Sequence, residues 1–130
     1  MNRLKIETTL INIGMPIGIK GFSYITDIVL LLDKPEWKNP KWSALYYSIG
    51  NMYNVPANSV EHAIRHALKT TRDRNNNYDA IEYYIGFSNC ENSNSIMNLY
   101  HRIKYEEEKT NISQSNETLR TILLQLLAAI

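Results

Sequence analysis

The sequence predicts an all-α fold, a compact domain of six to seven helices that contains a helix-turn-helix. Three observations carry that prediction. Apolar residues recur at three- and four-residue spacings in nearly every segment, as the buried side of a helix requires. Short stops built from Gly, Pro and Asn separate those segments. Finally, 44% hydrophobic residues with five Gly and four Pro in 130 residues suit one packed domain rather than a disordered chain.

The first expected helix covers Leu4 to Ile13, with Leu4, Ile6, Leu10, Ile11 and Ile13 as its apolar residues and Gly14 as its stop. Met15 to Gly21 reads as a loop punctuated by Pro16, Gly18 and Gly21. Phe22 to Leu32 is strongly apolar, and β-branched Ile25, Ile28 and Val29 would also suit a strand. The helical spacing of Tyr24, Ile25, Ile28, Val29 and Leu32 decides for a central core helix. Asp33 to Lys41 is a polar loop in which Lys34, Lys38 and Lys41 gather near Trp37. Those lysines either meet a phosphate backbone or simply solvate a loop anchored by one Trp.

Trp42 to Tyr53 reads as the next helix, with Ala44, Leu45, Ile49 and Met52 spaced for burial. Ala44 and Gly50 are small enough for another helix to approach closely. Asn54 suits the left-handed conformation that follows many helix ends, and Val55-Pro56 breaks the chain there. A second helix follows within Asn54 to Thr71, with Asn58 or Ser59 as its expected cap. Val60, Ala63, Ile64, Ala67 and Leu68 form its apolar face, while Glu61, His62, Arg65, His66 and Lys69 take the others. Arg and His donate to phosphate oxygens or base edges, and Glu accepts from cytosine N4. Helix, four-residue turn and helix is the arrangement that lays a second helix in the DNA major groove; an ordinary packed helical pair is the other reading.

Arg72 to Asn77 then reads as a polar turn, and Asp79 to Ile85 as a short helix capped by Asp79 and stopped by Gly86. After a loop from Phe87 to Asn94, Ser95 caps a helix whose inner residues are Ile96, Leu99, Tyr100 and Ile103. Glu106, Glu107 and Glu108 at its end oppose the helix dipole and predict fraying. The expected organisation is an effector-like domain over residues 1–108, a polar linker over 109–117 and an amphipathic helix over 118–130. Leu119, Ile122, Leu123, Leu126, Leu127 and Ile130 line that last helix, and in water they must be covered by this domain, another protein or a second copy, as in a homodimer.

Net charge is +1, but its distribution is uneven. Residues 1–74 hold ten Lys and Arg against six Asp and Glu; residues 75–130 hold four against seven. The basic half contains the candidate reading helix, as attraction to DNA requires. Cys90 is the single cysteine, so no intrachain disulfide forms and a reducing compartment suits the chain. No secretory signal is apparent at the N-terminus, and the longest apolar runs, such as Ile28 to Leu32, fall far short of the ~20 residues that span a membrane. The expected location is cytoplasmic. No nucleophile motif or Gly-rich phosphate loop is present, Asp27, Asp33 and Glu36 make no convincing acid–base pair, and an enzyme is not expected. His62 and His66 are four residues apart, but Glu61 precedes the first His and no third ligand is evident, so neither metal nor cofactor is expected.

Two segments carry a specific likeness. Ile13-Gly-Met-Pro-Ile-Gly-Ile-Lys-Gly-Phe-Ser-Tyr-Ile25 is similar to an I-G-x-P-x-x-I-K-G-x-x-Y pattern, and Val60-Glu-His-Ala-Ile-Arg-His-Ala-Leu68 to a V-E-R-A-I-R-H-A helix. Both patterns belong to the DNA-binding effector domain of the sporulation stage-zero response regulator, a transcription factor of endospore-forming Firmicutes. Asn92 to Glu106 resembles the last helix of that family, and the likeness spans residues 7–108. It implies a six-helix domain that binds short DNA boxes as activator or repressor, with contacts at the positions of Asn58, Ser59, Glu61, His62, Arg65 and His66. Glu61, Arg65 and His66 keep the family's residue types; Ser59 and His62 stand where Arg is usual, and Asn51 where a Lys is. A bidentate Arg–guanine contact is worth about 1–3 kcal/mol of discrimination, so weaker or altered specificity is expected. The family joins this domain to a phosphoacceptor receiver, for which 130 residues leave no room, so control by phosphorylation is not expected. The resulting expectation is a DNA-binding regulator with double-stranded DNA as its partner. The other reading, favoured by the lost Arg residues, is a protein-interaction module that pairs with or antagonises a related regulator.

Overall fold

The computed structural model describes residues 1–129, and all of its regular structure there is helical. Six α-helices run in the order α1 (Arg3–Asn12), α2 (Lys20–Leu32), α3 (Trp42–Tyr53), α4 (Ala57–Arg74), α5 (Tyr78–Tyr84) and α6 (Asn92–Ala128), with one 3-10 turn at Pro35–Trp37 between α2 and α3. The β-branched residues of α2 did not make it a strand, because they fall at helical spacing around an almost fully enclosed rod. Phe22, Tyr24, Ile25, Ile28, Val29 and Leu32 are all buried, and α1, α3, α4 and α6 pack around them.

The closest packing is between α2 and α4. A Cβ added at Gly21 would collide with the Ala63 carbonyl oxygen and the Ala67 methyl, so only glycine permits this crossing. Ile64 and Leu68 meet the core beside it, essentially without solvent exposure. Full burial of such a side chain is worth about 1.5–3 kcal/mol. These contacts fix α4 along its inner side and leave its outer side bare.

Helix α3 ends as its sequence suggests. Asn54 adopts φ 58°, and the Val55 amide donates to the Gly50 carbonyl at 2.9 Å, closing the left-handed helix end. Gly50 admits the entry of α4, since a Cβ there would strike the Val55 carbonyl and lie 3.5 Å from the Ala57 amide at the first residue of α4. Met52, expected inside, is 59% exposed; it lies on the side of Leu45 but in the last turn of α3, past the buried Leu45, Ile49 and Gly50.

Several boundaries differ from expectation. Pro56, rather than Asn58 or Ser59, is the N-cap of α4, which places both polar residues inside the first turn without a capping bond. The helix also runs through the expected turn to Arg74 and stops at Asn75, φ 48°. Asn77, not Asp79, caps α5 by accepting from the Ala80 amide. Helix α6 starts at Asn92, and Ser95 is buried within it, accepting a hydrogen bond from Arg72 at 2.6 Å.

The largest difference concerns α6, which continues for 37 residues. Residues 109–117, read as a linker, are helical, so no break in secondary structure marks a division there. The segment is polar but holds neither Gly nor Pro, and the Thr110 and Thr118 hydroxyls donate to carbonyls one turn back. Glu106 and Glu107 do not sit at a helix end and therefore do not oppose a dipole terminus. Glu106 accepts from Lys5 at 2.9 Å and from the Tyr84 hydroxyl, while Glu107 lies 3.8 Å from the Met1 amine. Leu119, Ile122, Leu123, Leu126 and Leu127 lie exposed on this same helix, and Ile130 is outside the described residues.

Candidate nucleic-acid interface

Helices α3 and α4, with the turn Asn54–Pro56, form the helix-turn-helix. The buried stripe of α4 is Val60, Ile64, Ala67, Leu68 and Thr71. Residues half a turn away must therefore face outward. Asn58, Ser59, His62, Arg65, His66 and Lys69 are all exposed, with the His62 side chain at 68%. At 1.5 Å per residue, Asn58 to Lys69 covers about 16 Å of helix surface. Glu61 is set differently. Its side chain is 30% exposed and stands at the edge of a cleft of about 600 Å³ lined also by Trp42, Tyr46, Arg65 and Asn92.

The charged groups of this face are arranged as pairs. Arg65 grips the Glu61 carboxylate through two nitrogens, Nε to Oε1 at 3.1 Å and Nη2 to Oε2. That carboxylate holds the Arg65 guanidinium above its ordinary pKa. Lys69 donates to Asp73 one turn further on. His62 Nδ1 lies 3.7 Å from the Glu61 carboxylate, and His66 Nε2 lies 3.5 Å from the Thr70 hydroxyl. Exposed ion pairs at this spacing are weak, so a phosphate oxygen or a base edge competes with them readily.

The rear of the site depends on residues to which the sequence reading gave no such part. Asn92, at the first turn of α6, donates to the Glu61 carbonyl at 3.2 Å and joins the two helices behind the exposed face. Arg72 belongs to α4 but points inward. It donates to the Gly86 carbonyl at 2.7 Å, the Ile85 carbonyl at 3.2 Å and the Ser95 hydroxyl, and its burial lowers its pKa. An arginine in a run of polar residues reads as surface; only the three-dimensional approach of the α5–α6 corner gives it this structural part. Trp42 and Tyr46 wall the cleft from α3, with ring centroids 6.0 Å apart.

A family model described as the sporulation initiation factor Spo0A C terminal matches residues 6–103. The chain belongs to this family. The match covers the whole helix-turn-helix and ends at Ile103, the last fully buried residue of α6. DNA binding and transcription regulation fit the Spo0A C-terminal family. Among the described residues, no group of three or more metal-ligating side chains gathers, and no helix is long and apolar enough to cross a membrane.

Proposed function

We propose that the chain is a sequence-reading transcriptional regulator whose α4 lies in the major groove of double-stranded DNA. The supporting observation is the pairing of a fully buried apolar stripe with an outer row of hydrogen-bonding side chains on the second helix of a helix-turn-helix. Glu61 and His62 face base edges, while Asn58, Ser59, Arg65, His66 and Lys69 mainly hold phosphates. Glu61 is the better placed of the two base readers for selectivity. Arg65 orients its carboxylate until DNA competes for the pair, and Asn92 holds its backbone. A carboxylate acceptor favours amino donors, cytosine N4 above all, with adenine N6 its competitor, over the acceptor atoms of guanine and thymine. A reducing, cytoplasmic setting accords with this reading and with the single exposed Cys90.

Selection from a random duplex pool at two salt concentrations tests the proposal. The expected result is an enriched short motif whose binding weakens with salt. Salt-sensitive binding without a motif would reduce the protein to a phosphate binder, and no binding at all would refute the reading. Arg65→Ala should weaken binding to every duplex and lower the salt slope by about one. Unchanged affinity and slope would remove Arg65 from the interface.

A further inference from the structure

The stretch of α6 beyond Glu107 carries side chains that the body does not use. From Glu108 to Ala129 every residue is exposed, and its large apolar side chains remain 48–64% accessible. Tyr105, Ile112, Leu119 and Leu126 recur every seventh residue. A second row offset by four holds Lys109, Asn116 and Leu123. Together these are the d and a positions of a coiled coil, with one Asn in the middle of the a row. A seven-residue row drifts around a lone straight helix by about 20° per repeat and stays on one line only when two helices wind about each other.

We propose that residues 105–129 of α6 pair with the same segment of a second copy as a parallel, two-stranded coiled coil in register at Asn116. The character of the face argues for another chain rather than a lipid surface. Between Thr110 and Ala129 only Glu117 and Arg120 are charged, whereas helices that lie on membranes have a Lys- and Arg-rich outer face. Asn116 argues for a second copy. In a parallel pair its amide meets the identical amide across the axis, whereas an antiparallel overlap of this segment sets it against Leu119, and a foreign apolar groove sets it against hydrocarbon. The area is adequate as well. At roughly 100 Å² for each apolar side chain, the eight exposed from Tyr105 to Leu127, less Leu124 on the outer side of the heptad, supply about 700 Å² per copy, near the ~800 Å² of a standard interface.

Parallel pairing also places both copies of α4 at the same end of the rod, because Asn92 at the start of α6 bonds the Glu61 carbonyl. Two reading helices related by a two-fold axis call for two inverted half-sites. That last step rests on the DNA reading above; the pairing itself does not.

Sedimentation equilibrium of the full chain tests the pairing. The parent should have a dimer mass at tens of micromolar (roughly), and Leu119→Glu with Leu126→Glu should weaken association by about a hundredfold or more while leaving far-ultraviolet ellipticity of the body in place. Asn116→Cys in a Cys90→Ser background tests direction without relying on a disruptive variant, since equivalent a positions face each other only in a parallel pair. Mild oxidation should give a disulfide-linked dimer. A monomeric parent, an unchanged mass in the double variant or absence of the cross-link would overturn the proposal. A dimer that selects no duplex motif would leave the pairing intact and sink the DNA reading; a monomer that selects one would do the reverse.

Discussion

Helix α4 and the distal half of α6 have the same kind of sequence and opposite surroundings. Each carries an apolar stripe at helical spacing with polar residues around it. In α4 the stripe is sealed against α2, Leu68 being 1% exposed, and the polar side is bare. In distal α6 the stripe is bare, Leu119 being 64% exposed. Amphipathicity thus states which side of a helix needs cover, but not what covers it. The family match respects the same border, since it ends where burial along α6 ends. The core closes at Ile103, and the distal turns of α6 add nothing to it.

The contrast can be broken most forcefully at its two leucines. Leu68→Ala should lower the free energy of unfolding by about 2–5 kcal/mol, whereas Leu119→Ala, measured where the chain is monomeric, should change it by less than about 0.5 kcal/mol. Equal losses in chemical denaturation would mean that distal α6 docks on the body. Arg72→Met comes next. It leaves the Gly86 and Ile85 carbonyls and the Ser95 hydroxyl short of a donor, and should cost about 2 kcal/mol, with faster amide exchange concentrated at the α5–α6 corner.

Titration sharpens the comparison from the other side, because the body's buried ends are joined by ionisable groups and distal α6 is not. Burial raises the pKa of Asp33, but hydrogen bonds and attraction from Lys104 and the Met1 amine outweigh it, and the net shift is downward. A lowered carboxylate stabilises the fold above its ordinary value near 3.8, and that share is lost as pH falls through the lower folded value. Burial and the hydrogen bond to Asp27 push the Tyr53 phenol up to about 12. Its share is intact below pH 10 and disappears between pH 10 and about 12. Asp33→Asn should therefore flatten the acid limb of a thermal-melting profile and Tyr53→Phe the alkaline limb. Limbs that match the parent's would assign the pH dependence to other groups. The smallest expected effect lies on the reading face. Asp73→Asn releases Lys69 from its intrahelical partner and should tighten binding to all duplexes a few-fold without altering the preferred motif.

Much of the fold could be read in advance because its punctuation is local. Gly14, Asn54 and Gly86 take positive φ, as a helix stop demands, and the stripe of α4 follows from spacing alone. The outer residues of α4 could be read for the same reason: once Ile64 and Leu68 are inside, Arg65 and His66 have nowhere else to point. Three things were not legible. Gly21 as the crossing point of α2 and α4 depends on a neighbour more than forty residues away, which no local pattern encodes. The inward turn of Arg72 depends on carbonyls exposed by a corner that comes later in the chain. The continuity of α6 depends on an absence. A tract of Ser, Asn, Thr and Gln looks like a linker by composition, but with neither Gly nor Pro, and with ordered helix on both sides, the helix carries through.

That unbroken helix has a mechanical consequence. Its 37 residues make a rod about 55 Å long, rooted by a hydrogen bond beneath the very turn that carries Glu61. Because the rod is one unbroken helix joined at its root to the body, the direction in which its tip presents a partner is set relative to α4.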